Sequence, residues 1–484
     1  MFMCQLSFVV IDLLGLGPKL QVVQHMESTR RLISVRHGKR NRGKNVQTDQ
    51  HRQPEYELKA AYMSPFAIFS RNIGCFLRNR IPGQVVIQIT NRCNALCPQC
   101  GMRRTADISR APLSDDTVKS ILHGCAINGV QAVSFTGGEP LLLLKDLLKW
   151  INWAGEMGIP FIRTGTNGFM FCDSERPGFH DRMARLADRL ASTPLRNFWI
   201  SLDAFVPEVH ENMRGLPGVV EGIGKALPIF HRAGIFPAAN LGINRRLGGE
   251  MTAGLRPEAF ARREAYLAAF LERYKEAFDQ FYGFVVKLGF TTVNTCYPMS
   301  ISSQDQTSGL AAVYGATALE DIVRYHNDEK AMLFKALLET IPRHRHHLRI
   351  FTPLCSVYSL YRAYAGKGHG ARSYECRGGV DFFFIDSRQG DTFPCGYRGN
   401  ENLGKIWELD MKKLSPGDGC RRCDWECFRD PSELCGPVLQ AFRSPLKLIG
   451  RMLDDPVYRH LWVEDLKYYR RCDFFNGRVR SVLS

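Results

Sequence analysis

From residue 84 onward, short β-rich runs alternate with amphipathic helical stretches, and no other feature of the chain limits its fold as much. The runs Val85–Thr90, Gln131–Phe135, Phe161–Thr166, Phe198–Leu202, Phe236–Ile243 and Phe290–Cys296 predict strands. Stretches near 114–127, 144–157, 179–191, 219–233 and 257–281 predict helices between them. Strands separated by helices pair in parallel, because a parallel neighbour needs a crossover long enough to return the chain to the same end of the sheet. Six such βα units over residues 84–300 predict an α/β fold, a partial TIM-like (β/α)6 barrel whose chemistry sits at the C-terminal ends of its strands.

A chain of 484 residues is longer than one core usually supports, so smaller units are expected around the barrel. Residues 54–83 read as a helical lead-in, 301–375 as a helical linker, 376–436 as a small cysteine-rich domain and 437–484 as a helical tail. Residues 1–53 carry nine Lys or Arg against three acids, with no apolar periodicity, and read as a disordered basic tail. Met1–Leu16 is apolar but lacks a basic leader region and a cleavage site, so a misplaced start, with Met26 or Met63 as the true one, is an alternative reading.

The net charge of +16, from 64 basic and 48 acidic residues, points to an anionic partner or surface. The basic residues concentrate in the tail without a nucleic-acid-reading motif, so nucleic acid is not the expected partner. No stretch of 18 apolar residues predicts a transmembrane helix. Sixteen cysteines without an export signal read as thiolates for metal in a reducing, cytoplasmic setting.

Directly after the first expected strand, Cys93, Cys97 and Cys100 are spaced C-x3-C-x2-C. These positions would share one face of a helix, but Pro98 would break that helix, and Asn91 and Asn94 favour a loop. A loop can wrap three soft thiolates around one iron-sulfur cube, leaving the fourth iron open to a small molecule.

With this loop the chain resembles the radical S-adenosylmethionine (SAM) superfamily, whose cluster signature has the same spacing after the first barrel strand. The resemblance implies that Cys93, Cys97 and Cys100 are catalytic ligands of a [4Fe-4S] cluster whose open iron binds the amino and carboxylate groups of SAM. Thr136-Gly137-Gly138-Glu139-Pro140 resembles the family's SAM-amino-binding segment. It implies a close backbone approach at Gly137 and Gly138 and a carboxylate at Glu139 beside an ammonium group. Asn167 after the third strand, Ser201 and Asp203 at the end of the fourth, and Arg214 resemble further cofactor-binding positions. Gln99 stands where many members carry an aromatic residue.

Cys376 and Cys395 resemble the opening of the SPASM extension, a twitch-like C-terminal domain with auxiliary clusters. Cys420, Cys423, Cys427 and Cys435 follow at spacings that depart from its usual second half. These six imply one or two auxiliary [4Fe-4S] clusters, with Cys355 and Cys472 as spare thiols and a structural zinc site as the alternative. Cys4, Cys75, Cys125, Cys172 and Cys296 read as incidental thiols, and Arg343–His347 as a solvated basic face.

The resemblance implies reductive cleavage of SAM, with electrons from a flavodoxin- or ferredoxin-type reductant, to give a 5'-deoxyadenosyl radical that attacks a C–H bond. The substrate is open between a small molecule, a lipid-linked molecule and a peptide. The tail around Trp462, Tyr468 and Tyr469 reads either as a peripheral membrane contact or as packing on the barrel. A non-catalytic iron-sulfur or zinc scaffold is the rival reading, although it has no need of an open iron or of Gly137-Gly138-Glu139.

Overall fold

The structure, a computed structural model, describes residues 74–100, 102, 110–298, 310–313, 321–366, 374–414, 420–421, 423–473 and 476–480. The expected basic tail, Cys4 and most of the helical lead-in lie outside the described residues.

The βα alternation folds as expected. Strands β1 (Gly83–Gln88), β2 (Val130–Thr136), β3 (Phe161–Thr166), β4 (Leu195–Ser201), β5 (Ala238–Gly242) and β6 (Thr292–Cys296) pair in parallel in that order. Between them run α1 (Asp115–Ile127), α2 (Leu144–Glu156), α3 (Phe179–Ala191), α4 (Pro207–Arg214), α5 (Val219–Arg232) and α6 (Arg263–Leu288). Local chemistry sets the helix starts. Ser114 Oγ accepts from Thr117 N at 3.1 Å, and Asp115 and Asp116 sit at the positive end of α1. Such a cap contributes about 0.5–2 kcal/mol.

Side chains alternate across the sheet. The outward face of the strands is apolar: Val133, Phe135, Ile162, Phe198, Ile200, Leu241 and Val293 are buried in the core shared with the helices. The inward face carries Ser134, Arg163, Asn197, Asn240 and Asn294 around a cavity. A closed eight-stranded barrel packs that space with branched apolar side chains. This barrel keeps it hollow, with these polar side chains set among aromatic and aliphatic ones.

The remainder of the chain is built into the barrel rather than hung from it. The expected linker contains α7 (Asn327–His344), a two-residue strand β7 (Arg349–Ile350) parallel to β6, and α8 (Leu354–Tyr364). The cysteine-rich segment supplies β8 (Phe382–Ile385), parallel to β1, and β9 (Thr392–Phe393), antiparallel to β8. One sheet therefore runs β7-β6-β5-β4-β3-β2-β1-β8-β9, three strands more than the six expected.

Helices α9 (Glu426–Arg443), α10 (Pro445–Asp454) and α11 (Pro456–Arg471) complete the chain. The first turns of α9 bridge the open side of the barrel. Gln84 Nε2 on β1 donates to Cys427 O at 3.4 Å, and beyond β6 Tyr297 N donates to Glu426 Oε2 at 3.2 Å.

One sequence expectation is corrected here. Arg345 is not on a solvated basic face: it is buried, paired with Asp465 at 2.7 Å, and lies over the Tyr468 ring at 4.3 Å. Trp462, Tyr468 and Tyr469 are buried as well, which favours packing on the barrel among the two readings of these residues. Among the described residues, no helix is long and apolar enough to cross a membrane.

Candidate active site

The expected cofactor residues converge at the C-terminal ends of β1 to β4. The loop after β1 is held from three sides. Leu96 N donates to Arg214 O at 2.7 Å, Gly138 N to Thr90 O at 2.8 Å, and Glu139 N to Arg92 O at 2.8 Å. A Cβ on Gly137 would lie 2.4 Å from Thr90 O, and one on Gly138 2.2 Å from Arg92 O. The two glycines thus serve the packing of the β2 turn against the cysteine loop.

Glu139 is fully buried and accepts from Asn167 N at 2.6 Å and from Leu141 N at 3.0 Å, so its carboxylate organises the backbone of two strand ends. Burial raises its pKa to about 7. Asn167 extends the clasp, its Nδ2 donating to Asn94 Oδ1 at 2.9 Å and lying 3.7 Å from Cys93 Sγ.

The three thiols lie close enough to influence one another. Burial pushes Cys97 up against the opposing pull of the Arg214 guanidinium, and burial together with Cys97 takes Cys100 to about 12. As free thiols Cys97 and Cys100 hold their protons, and a bound metal is the natural agent for removing them.

Beside them, Asp203 Oδ2 accepts from Arg214 Nε at 2.9 Å and Nη2 at 2.7 Å, and from Gln99 Nε2 at 3.0 Å. Burial opposes the charge on Arg214, but the Asp203 carboxylate outweighs it and holds the guanidinium above its ordinary pKa. Gln99 Oε1 is buried with no partner, an acceptor left over inside the site. Ser201 ends β4 as expected.

Two supports were not singled out from the sequence. His210 Nδ1 accepts from Asp203 N at 3.0 Å, and burial then Arg214 lower its pKa to about 3, which keeps it neutral. Asn244 Nδ2 donates to Asp203 O at 2.8 Å. A His-x6-distant partner carries no local signature, so neither was legible.

The second cysteine set divides. Cys376, Cys395, Cys420 and Cys423 form one group: Cys376 N donates to Cys420 O at 3.1 Å, and burial followed by the neighbouring thiols raises Cys376, Cys395 and Cys423. Cys427 and Cys435, the other two expected ligands, fall on α9, where Cys427 lines the barrel cavity and Cys435 is buried among apolar neighbours. Cys355 and Cys472 are buried as well. Among the described residues, no three His, Cys, Asp or Glu side chains stand at the spacing of a single-ion site.

Between the two cysteine groups lies a cavity of about 430 Å³ bounded by Gln99, Arg163, Trp199, Asn240, Cys296 and Glu426, among others. Cys296, read from the sequence as incidental, lines it, its Sγ 3.5 Å from Asn240 Oδ1.

Comparison with known proteins agrees with this geometry. Residues 87–244 match the Radical SAM superfamily. The AdoMet-dependent heme synthase of Methanosarcina barkeri is 21% identical over 364 residues, covering 73% of this chain and 87% of that protein. The GTP 3',8-cyclase of Limosilactobacillus fermentum is 32% identical over 153 residues, 30% of this chain and 42% of its own. The PqqA peptide cyclase of Bradyrhizobium diazoefficiens is 38% identical over 79 residues, 16% of this chain and 20% of its own. Among solved structures, Streptococcus suis SuiB bound to S-adenosylmethionine has a TM-score of 0.44 at 15% identity, covering 78% of this chain and 73% of that one.

Proposed function

We propose that this radical SAM enzyme, with its C-terminal auxiliary domain, holds its SAM-binding [4Fe-4S] cluster on Cys93, Cys97 and Cys100 and modifies a C–H bond of a substrate bound in the barrel cavity. The observation that carries the reading is the cysteine loop itself: three thiols clasped by Asn167, Arg214 and the Gly137–Gly138 turn, beside a cavity that Gln99 of the same loop lines. When bound, the cluster and SAM supply a one-electron cleavage of the C5'–S bond, which yields a carbon radical able to take a hydrogen atom.

The chain's own part is positioning and exclusion of water. Asp203 and Gln99 tie the Arg214 guanidinium to the loop. The unpartnered Gln99 Oε1 is the acceptor available to a hydroxyl or ammonium group of SAM. Helix α9 bridges the barrel's open side and narrows the access of solvent to a reactive group inside.

One auxiliary [4Fe-4S] cluster on Cys376, Cys395, Cys420 and Cys423 is the reading supported for the second group, since these four thiols lie close enough to influence one another. An external flavodoxin- or ferredoxin-type protein supplies the electron. The cavity of about 430 Å³ favours a small molecule, and the local similarity to a peptide cyclase supports one side chain of a peptide as the second reading.

The test is anaerobic reconstitution with iron and sulfide. The expected load is about eight irons per chain, four for each cube. Dithionite and SAM should then release 5'-deoxyadenosine, and alanine at Cys93, Cys97 and Cys100 should abolish that release. Undiminished release from the triple variant overturns the assignment.

A further inference from the structure

The barrel interior contains a charge that the SAM machinery does not use. Arg163 points inward from β3, and its guanidinium borders the cavity. Its Nε donates to Ser134 Oγ at 2.9 Å, and among the described residues it makes no other hydrogen bond and no ion pair. An arginine stays charged in any protein environment, and removing an ion from water costs several kcal/mol unless a partner recovers it.

The candidate partners nearby are otherwise committed. Cys427 is the one titratable group that acts on Arg163, but burial and the adjacent Glu426 hold that thiol well above its usual pKa, so it is neutral. Glu426 is engaged by Tyr297 N and by the Cys427 thiol, and Asp430 by Ser356 and the Tyr297 hydroxyl.

The rest of the chamber suits an apolar body. Gly165 leaves room for the Trp199 indole to lie across β3: a Cβ there would come within 2.0 Å of Trp199 Nε1. Trp199 makes no hydrogen bond among the described residues, so a second donor borders the cavity beside Arg163. Tyr397 and Trp425, with ring centroids 5.3 Å apart, form part of the remaining wall. At about 430 Å³ the space falls within the usual range for small-molecule sites.

We propose that Arg163 is the anion-binding residue of the substrate chamber, which takes a small molecule whose carboxylate or phosphate oxygens bond the guanidinium while its apolar body lies against Trp199. The inference rests on the reading of this cavity as the substrate chamber. A planar fork of donors suits either oxyanion, and both share the same chemistry.

Calorimetric titration of the anaerobically reconstituted, full-length holoenzyme with benzoate, phenyl phosphate and neutral benzamide tests it. One or both anions should bind about tenfold to a hundredfold more tightly than benzamide, and whichever is preferred identifies the oxyanion. Arg163→Gln should reduce the anions to the benzamide level and leave benzamide binding unchanged. Equal anion affinity in wild type and Arg163→Gln overturns the inference.

A measurement on the unaltered chain guards against a variant that does not fold. Benzoate or phenyl phosphate should slow modification of Arg163 by phenylglyoxal, read by peptide mapping, whereas benzamide should not. Modification of Arg163 at the same rate with and without the anions overturns the inference. The two readings fail separately: absence of 5'-deoxyadenosine release from the wild type defeats the SAM-cleavage assignment, while loss of anion preference defeats only the role of Arg163.

Discussion

Asp203 shows what a local motif reveals and what it conceals. Its place in Ser201-Leu202-Asp203 marks it as a site residue, but its partners, Arg214 eleven residues on and Gln99 from the cysteine loop, emerge only when β1, β4 and α4 are brought together. Removing the carboxylate leaves Arg214 charged and buried. Asp203→Ala is therefore expected to destabilise the metal-free protein by about 3–5 kcal/mol, measured by urea unfolding; a loss below about 1 kcal/mol contradicts the pairing.

Glu426 makes the corresponding case for pH. Burial raises it from 4.5 to about 7, so the folded state holds its proton more tightly than the unfolded chain does. The stability it carries is complete below 4.5 and is lost as the pH rises through about 7. Between about pH 5 and pH 8 the melting temperature of metal-free wild type should fall more steeply than that of Glu426→Gln. Parallel profiles contradict the shift. Cys427 illustrates the limit of spacing arguments: in the sequence it is one of six cysteines in a ligand-like series, and only the start of α9 at Glu426 turns it toward the barrel.

At the scale of elements, β1 to β4 and α1 to α3 were legible because period-two and period-3.6 patterning, with turn residues between, writes them locally. The exceptions have physical causes. β7 is two residues long, too short to show a period, and exists because tertiary partners hold it. Tyr468 bonds across its base, its hydroxyl donating to Leu348 O and accepting from Ile350 N, both at 2.8 Å. Tyr468→Phe strands two buried backbone groups and should cost about 1–3 kcal/mol in urea unfolding. A change of a few tenths refutes the view that α11 fixes β7. The pairing of β8 with β1, from Gln84↔Phe382 to Ile87↔Ile385, was illegible for a different reason: nothing in either segment names a partner nearly 300 residues away.

For the molecule as a whole, the cysteine-rich segment supplies β8 and β9, which extend the barrel sheet beyond β1, and α9, which bridges its open side. The cysteine loop is readable from local motifs, whereas the cavity is not. Arg163 on β3, Cys296 on β6 and Glu426 and Cys427 on α9 meet only in the completed fold.

The central claim is that the Cys93–Cys97–Cys100 loop holds a cluster with one iron open to SAM, and a variant lacking the other cysteine group tests it most directly. With Cys376, Cys395, Cys420 and Cys423 replaced by alanine, anaerobically reconstituted and dithionite-reduced protein should give a single [4Fe-4S] electron paramagnetic resonance signal that changes when SAM is added. A signal indifferent to SAM, or none at all, contradicts the account.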